Sequence, residues 1–346
     1  NEKGERMHGK VRYLLALVAF LFMAAGFLGE TAALAAGPVD ITFSLDFIVL
    51  GRHAPWYVAL DKGYYKEEGL NVKIIPSQGT AQVMQSVESG LAEIGLIDVP
   101  GLVLGRAAGA TIKMVAVNYQ KSPYAVFSLD PGANVTKVTD LKGLEMGSSA
   151  GSFVPNIIKG FMKMNGVDPS TLKVVNVAPA AKATMLLSGQ LKSIEFFVMS
   201  KPGLEREVKG ATVKTFLLAD HGLVLYSNGI GAKEEYLKKN PQIMKGFVKA
   251  SLRGWKDALA NPSEAADRQM KYAKGLDRNA IIAELAILKD LAVVPDTQKN
   301  GLGWFSPAKM KTSLDFVLTN LDVAGTHPKV EDLYATGFLP EPPILP

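Results

Sequence analysis

The stretch LDFIVLGRHAPWYVALDKGYYKEEGLNV, residues 45–72, decides how the rest of the chain is arranged. Residues 41–47 (ITFSLDF) alternate apolar and polar side chains, which predicts a strand. Residues 54–67 carry apolar side chains at helical spacing with charged side chains opposite, and Gly69 is suited to end that helix. A second strand is predicted over residues 71–76. The stretch therefore predicts a strand–loop–helix–strand unit.

Four residues of this unit lie where a ligand site is expected. Asp46 and Phe47 fall at the end of the first predicted strand, and His53 and Trp56 lie in the loop and at the start of the helix. In open α/β sheets, ligands bind beside the loops that leave the carboxyl ends of strands. We therefore predict that all four side chains contact a ligand.

Five more candidates follow at loop positions: Gln78, Gly79, Thr80, Asp98 and Tyr119. The first three lead into a predicted helix, whose exposed N–H groups can bind anions or polar ligand edges. Thr80 can equally cap that helix, and both roles can hold. Asp98 follows a short predicted strand over residues 93–97 and either receives a ligand donor or caps the next helix. Tyr119 ends the predicted strand of residues 111–118.

A loop rich in glycine and serine, residues 147–153 (GSSAGSF), lies between a predicted strand over 144–147 and a predicted helix over 153–165. Backbone N–H groups and serine hydroxyls at such a helix start can point into the space in front of it. The loop lacks the G-x-x-x-x-G-K-[ST] spacing of a nucleotide phosphate loop. A plain strand-to-helix connection would have a similar sequence, so both interpretations stay open. The candidates for ligand contact are Ser148, Ser149, Gly151 and Ser152.

Two further candidates come from later parts of the chain. Met199 follows the predicted strand of residues 193–198, and Phe197 within that strand is the alternative to it, although buried apolar residues of strands usually serve the core. Tyr226 lies in the segment HGLVLYSNGIG, residues 221–231, which is predicted to cross from one part of the fold to another. Both are predicted to contact the ligand.

The alternation of strands and helices predicts an α/β protein with two lobes. Each lobe is expected to be a mixed sheet flanked by helices, and two hinge crossings join the lobes. The first lobe is predicted to be discontinuous, residues 38–123 and 226–325, and the second to comprise residues 124–225. Residues 326–346 form a C-terminal tail. The ligand would bind between the lobes and close them by hinge motion.

The segments HAPWYVALDKGYYKEEGLNV (residues 53–72) and SVESGLAEIGLIDVP (residues 86–100) resemble the periplasmic substrate-binding proteins of ABC importers. Among these, the group that binds thiamine pyrimidine precursors, nitrate and sulfonates or taurine is the most similar, over nearly the whole chain after residue 38. The resemblance implies a type II-like binding-protein fold and a closed, liganded form that docks on a membrane permease. We expect a monomer without a cofactor. A role as partner of a membrane sensor has the same fold and stays open.

Residues 7–35 have the three parts of a secretory signal. Basic residues precede an apolar run over residues 13–28, and Ala33-Leu34-Ala35 predicts cleavage near Ala35–Ala36, so residues 1–35 are expected to be removed. An uncleaved anchor is the alternative. The chain has no cysteine, which excludes disulfides, thiolate metal sites and a lipid-modified cysteine after the signal. Together with the resemblance, this predicts a freely soluble periplasmic protein.

The charges argue against a nucleic-acid partner. Lysine and arginine number 38 against 33 aspartate and glutamate residues, a formal net charge of +5. They are scattered, without the basic block or the stripe of basic and aromatic residues that nucleic-acid binding needs.

The candidate side chains offer aromatic faces, donors and carboxylate acceptors, which fits a small planar heterocycle such as a pyrimidine-like compound. A sulfonate, taurine or nitrate, bound by N–H groups at helix starts, is the alternative. An enzyme would need a nucleophile–base pair or a metal cluster, and His53, His221 and His327 follow no metal-binding spacing. The related fungal pyrimidine synthases carry a cysteine-rich iron motif that this chain lacks. We therefore expect binding, with neither catalytic residues nor metal ligands.

Overall fold

The computed structural model describes residues 37–346 and contains two five-stranded sheets. The strands are β1 (Val39–Ser44), β2 (Leu70–Ile75), β3 (Ile94–Asp98), β4 (Ile112–Val117), β5 (Tyr124–Asp130), β6 (Glu145–Ser148), β7 (Lys173–Asn176), β8 (Ser193–Phe197), β9 (Thr212–Leu217) and β10 (Asn228–Lys233). The first sheet has the order β2-β1-β3-β10-β4 and the second has the order β7-β6-β8-β5-β9. The predicted secretory signal lies outside the described residues.

Both sheets mix parallel and antiparallel neighbours. In the first sheet, β1 runs parallel to β3, and β10 runs antiparallel to both β3 and β4. In the second sheet, β6 runs parallel to β7 and β8, and β5 runs antiparallel to β8 and β9. The parallel pairs bring the carboxyl ends of neighbouring strands to one edge of each sheet, where a ligand site is expected.

Helices flank both sheets, which confirms the predicted fold class. They are α1 (Ala54–Asp61), α2 (Tyr64–Glu67), α3 (Thr80–Ser89), α4 (Val99–Ala107), α5 (Val154–Met164), α6 (Lys182–Leu187), α7 (Lys201–Glu207), α8 (Glu234–Lys239), α9 (Pro241–Ala260), α10 (Pro262–Tyr272), α11 (Arg278–Ala292), α12 (Pro295–Asn300) and α13 (Pro307–Asn320). Within residues 37–346, none of the helices is long and apolar enough to cross a membrane.

The opening unit differs from its prediction at two points. The helix expected over residues 54–67 is broken into α1 and α2, because Gly63 takes a left-handed conformation with φ of 76°. Glycine adopts this conformation without the steric cost that a Cβ would add. In addition, β1 ends at Ser44, so Asp46 and Phe47 lie in the loop beyond the strand rather than at its last residues.

Aromatic packing positions the start of α1. The ring of Phe43 on β1 lies 4.8 Å from that of Trp56 and 5.1 Å from that of Phe247 on α9. Trp56 in turn meets Trp255 of α9 edge-on at 5.7 Å. Fully burying one such ring stabilises the fold by roughly 1.5–3 kcal/mol. The cluster therefore holds α1 against α9, and with it the loop that joins β1 to α1.

The chain passes between the two sheets twice, after β4 and before β10. All strands of the second sheet come from residues 124–217, and those of the first come from both sides of this range. The end of the chain returns to the first sheet, where Tyr334 forms an isolated bridge with Met114. The lobe boundaries drawn from the sequence stay a prediction.

Candidate functional site

A narrow cleft with an accessible volume of about 40 Å³ lies between the loops of the two sheets. One wall consists of the loop after β1, the start of α3 and the last residue of β3. The other wall consists of the loop before α5, the side chain of Lys182 on α6 and the end of β8. Loops at the carboxyl ends of strands from both sheets thus face one space.

Asp46 is the centre of a buried cluster in the first wall. Its carboxylate accepts hydrogen bonds from Arg52 Nη2 at 2.8 Å, from His53 Nε2 at 2.7 Å and from Asn228 Nδ2 at 3.0 Å. Burial disfavours the charged carboxylate, but Arg52 and His53 outweigh it and lower the pKa of Asp46 well below its usual range. Asp46 is therefore ionised and fully engaged.

His53 orients this cluster from a fully buried position. Burial and the neighbouring Arg52 guanidinium lower the pKa of His53 to about 4, so the ring is neutral at pH 7. Nδ1 accepts the backbone N–H of Leu50 at 3.0 Å. The proton therefore belongs on Nε2, which donates it to Asp46. Both ring nitrogens are engaged inside the protein.

Asp98 ends β3 and caps α4. Its Oδ1 accepts the backbone N–H of Gly101 at 3.0 Å, and its Oδ2 accepts the hydroxyls of Tyr124 and Ser227. Burial raises the pKa of Asp98 to about 6, against the opposing effect of these donors. Asp98 also lines the cleft, so the capping role and contact with a ligand are compatible.

A second buried ion pair stands in the opposite wall. Lys182 Nζ donates to Glu195 Oε1 at 2.7 Å, and Ser148 Oγ donates to the same oxygen at 2.8 Å. Both charged side chains are almost completely buried. Burial lowers the pKa of Lys182, although the Glu195 carboxylate opposes this effect.

Three half-buried phenylalanine rings line the space between the two ion pairs. Phe47 and Phe196 come from opposite walls, with their ring centres 6.2 Å apart and their planes at 79°. The Arg52 guanidinium lies 5.0 Å from the ring centre of Phe197, and Lys182 Nζ lies 4.2 Å from that of Phe196. Each cation thus contacts an aromatic face, an arrangement that is electrostatically favourable.

The two walls touch where α3 begins. The backbone N–H of Ala81 donates to the carbonyl oxygen of Gly151 at 3.3 Å. Gly79 has φ of 143°, and an added Cβ at this position would overlap that same carbonyl group. Only glycine permits so close an approach of the two loops.

The candidates predicted from the sequence separate into two sets. Those that line the cleft are Asp46, Phe47, Gly79, Thr80, Asp98 and Ser152. Those that lie outside its lining are His53, Trp56, Gln78, Tyr119, Ser148, Ser149, Gly151, Met199 and Tyr226. Trp56 belongs to the core beside α9, and the hydroxyl of Tyr226 accepts the backbone N–H of Ser306 at 2.9 Å. His53 and Ser148 do not line the cleft themselves, but they donate hydrogen bonds to Asp46 and Glu195, which do.

Sequence reasoning gave no site role to Lys182, and none to several residues beside the rings. Leu50, Phe153, Val154 and Ser200 line the cleft as well. The available signal was the single charge in the apolar run APAAKATMLL, residues 178–187. A charge at such a position is ordinarily solvent-exposed, so its burial became visible only in three dimensions. Across residues 37–346, no cluster of three or more His, Asp or Glu residues is arranged to hold a metal ion.

Comparison with known proteins identifies relatives of this chain. The family described as NMT1/THI5 like matches residues 51–265. The riboflavin-binding protein RibY of Chloroflexus aurantiacus is 29% identical over 239 residues, which are 67% of this chain and 66% of the relative. The formylaminopyrimidine-binding protein of Halalkalibacterium halodurans is 26% identical over 229 residues, 64% of this chain and 67% of the relative.

A synthase is also among the relatives. The 4-amino-5-hydroxymethyl-2-methylpyrimidine phosphate synthase of Legionella pneumophila is 25% identical over 231 residues, 65% of this chain and 71% of the relative. The relatives therefore include both binding proteins and a biosynthetic enzyme, and each is matched over about two thirds of its length.

Solved structures share the fold. The alkanesulfonate-binding protein SsuA from Xanthomonas axonopodis pv. citri has a TM-score of 0.68 at 14% identity, covering 88% of this chain and all of that one. The periplasmic nitrate-binding protein NrtA from Synechocystis PCC 6803 has a TM-score of 0.56 at 14% identity, covering 71% of this chain and 69% of that one. These findings confirm the resemblance and the fold class predicted from the sequence.

Proposed function

Since this chain belongs to the NMT1/THI5-like family, we propose that it is a solute-binding protein that captures a small planar aromatic or heterocyclic compound. The observation that carries this proposal is the pair of rings, Phe47 and Phe196, presented by opposite walls of one cleft. The two rings touch edge to face, with their centres 6.2 Å apart, so a flat ligand gains aromatic contact by stacking on one of them after hinge motion has parted the walls. Pyrimidine-like compounds and other nitrogen heterocycles have this shape.

The electrostatics of the lining favour a neutral ligand over nitrate or a sulfonate. Both cations that line the cleft already have a carboxylate partner, since Arg52 pairs with Asp46 and Lys182 with Glu195. Asp98 adds a carboxyl group with a pKa near 6. An anion would approach these carboxylates without an uncompensated positive charge. The sulfonate and nitrate alternatives are therefore less well supported.

Binding, rather than synthesis, is supported by the state of the ionisable groups. Asp46, His53, Asp98 and Glu195 are each held by hydrogen bonds from other protein groups. A general base must have access to the proton that it removes, and His53 has both ring nitrogens engaged in a fully buried position. We therefore assign this chain to the binding proteins of its family.

The fold and the sequence support the remaining parts of the proposed function. A two-lobed protein can close on its ligand by hinge motion, and a predicted secretory signal supports a periplasmic location. We propose that the closed form is a monomer that delivers the ligand to the permease of an ABC importer.

A thermal-shift screen tests the proposal. The protein, unfolded and refolded to remove carried-over ligand, is screened against pyrimidines, riboflavin, aromatic acids, taurine, other sulfonates and nitrate. A ligand at 100 times its dissociation constant adds about 2.7 kcal/mol to the unfolding free energy. We expect a heterocycle to raise the melting temperature, Phe196→Ala to remove this rise, and Tyr272→Ala, at an exposed ring, to retain it. A response to sulfonates or nitrate alone would contradict the proposal.

A further inference from the structure

The second wall of the cleft contains a buried ammonium group with an unused hydrogen-bond donor. The side chain of Lys182 is only 1% exposed and lines the cleft. In the part of the chain that the structure describes, Nζ makes a single hydrogen bond, to Glu195. An ammonium group has three N–H donors, and buried donors are almost always satisfied in native proteins. The face of Phe196, 4.2 Å away, takes up a second direction around Nζ, which leaves one N–H donor that an acceptor atom of a ligand can satisfy.

The position of Nζ indicates which part of a ligand it meets. Nζ lies 4.2 Å from the ring centre of Phe196 and 5.8 Å from that of Phe47. The two rings touch edge to face, so a flat ligand that parts the walls and stacks on either ring has an edge beside Nζ. Lys182 is thus placed to bind the rim of the ligand, while the phenyl rings contact its faces.

The partner of Lys182 determines the charge of that acceptor. Glu195 neutralises the ammonium group, and Ser148 holds the same carboxylate oxygen in place. A second anion beside Nζ would also lie close to Glu195, which is unfavourable in a buried site. A neutral carbonyl oxygen accepts a hydrogen bond from Nζ without this repulsion.

Resting on the proposed function, we infer that Lys182 selects neutral heterocycles that carry a ring carbonyl. The carbonyl oxygen accepts from Nζ while Glu195 keeps the ammonium group neutralised. Pyrimidines that offer Nζ a ring nitrogen in place of a carbonyl oxygen bind less tightly. Lys182 is a specificity residue in direct contact with the ligand, and Glu195 and Ser148 are positioning residues.

A pair of variants separates this role from a structural one. Lys182→Met alone would leave Glu195 buried without its cation, so the test uses Lys182→Met combined with Glu195→Gln, which removes both charges and keeps an acceptor for Ser148. Removing both members of a buried ion pair is often close to neutral for stability. Lys192→Met, at an exposed lysine just before β8, is the matched control. Lys182→Arg retains the donors.

Calorimetric titration then compares two probes: riboflavin, whose ring system carries carbonyl groups, and 4-amino-5-hydroxymethyl-2-methylpyrimidine, which has none. We expect the unmodified protein to bind riboflavin more tightly. The double variant should weaken riboflavin binding roughly 10- to 100-fold, the effect of losing one hydrogen bond from a charged group, and leave the aminopyrimidine within about threefold. Lys192→Met should behave as the unmodified protein, and Lys182→Arg should retain part of the preference.

Three results would overturn the inference. The first two are tighter binding of the aminopyrimidine than of riboflavin, and equal weakening of both probes by the double variant. The third is a thermal screen in which the heterocycles that raise the melting temperature include none with a ring carbonyl group. In each of these cases the proposed function stands, because an aromatic solute still binds. If no aromatic solute raises the melting temperature of the unmodified protein, the proposed function fails, and the inference fails with it.

Discussion

The two walls of the cleft each contain a buried ion pair, but the two pairs are built differently. In the first wall, the Asp46 carboxylate accepts from Arg52, His53 and Asn228, so three groups converge on one acceptor. In the second wall, the Glu195 carboxylate accepts from Lys182 and Ser148. The Asp46 carboxylate and its three donors therefore form a closed network that fixes the loop after β1. Both cations nevertheless keep N–H donors without an acceptor among the described residues, Nε in Arg52 and one donor of Nζ in Lys182.

The largest expected effect comes from breaking the closed network. Asp46→Ala would leave the Arg52 guanidinium buried without its anion, which typically costs roughly 3–5 kcal/mol of unfolding free energy. Urea denaturation measures this loss. Asp130→Ala, which removes an exposed ion pair with Lys214, should cost less than about 1 kcal/mol. Similar small losses for both variants would mean that the Asp46 network does not hold the wall in place.

A smaller effect is expected where the two walls meet. Gly79→Ala would place a Cβ against the carbonyl group of Gly151 and hold the loops apart, so ligand affinity should fall roughly tenfold as the closed form becomes less populated. Calorimetry measures the affinity, and small-angle scattering should give a larger radius of gyration for the ligand-bound variant.

Gly90→Ala is the matched control for this variant. Gly90 also has positive φ, 78°, but no atom lies within 4 Å of an added Cβ. Both variants should lose about 1 kcal/mol of stability through backbone strain, while Gly79→Ala alone should lose affinity. Equal affinities of the two variants would contradict a closing role for this contact.

The smallest effect is a pH dependence confined to the first wall. Glu284 accepts the backbone N–H of Arg52 at 2.8 Å, and burial raises its pKa from 4.5 to about 7. The folded state thus binds a proton that the unfolded chain does not, and stability rises as the pH falls from 8 to 6.5. The gain is about 1 kcal/mol over this interval. Urea denaturation of Glu284→Gln should show this rise abolished.

Measuring stability between pH 6.5 and 8 distinguishes the titration of Glu284 from that of His53. Because the pKa of His53 is lowered to about 4, its contribution to stability is lost as the pH falls below 6.5, the opposite direction. Between pH 8 and 6.5 this loss reaches only about 0.4 kcal/mol, because half of the unfolded-state histidine is protonated at pH 6.5, and it is the same in Glu284→Gln. An unchanged slope in Glu284→Gln between pH 6.5 and 8 would show that another group titrates there.

The contrast between the two walls also explains what the sequence could predict. Asp46, Arg52 and His53 lie within eight residues of one another in a single loop, so the position of that loop in the strand–loop–helix unit was enough to indicate the first wall. The alternation of strands and helices was likewise enough to predict two mixed sheets. These features depend on local patterns, which can be recognised in the sequence alone.

The remaining features depend on contacts between distant segments. Trp56 lies next to the predicted loop, yet its ring turns toward Trp255, almost two hundred residues away, and its direction follows from the packing of α1 on α9. Lys182 and Glu195 meet Ser148 only because β6 pairs with β8. Neither helical spacing nor strand alternation indicates which distant residues will contact one another, so the individual residues of the second wall could not be predicted.

The most direct test of the account is a crystal structure of the protein with the compound that stabilises it most in the thermal screen. We predict a planar ring stacked on Phe47 or Phe196, with a carbonyl oxygen within hydrogen-bonding distance of Lys182 Nζ. A ligand bound away from these rings, or an anion bound at the starts of α3 and α5 with the rings empty, would contradict it.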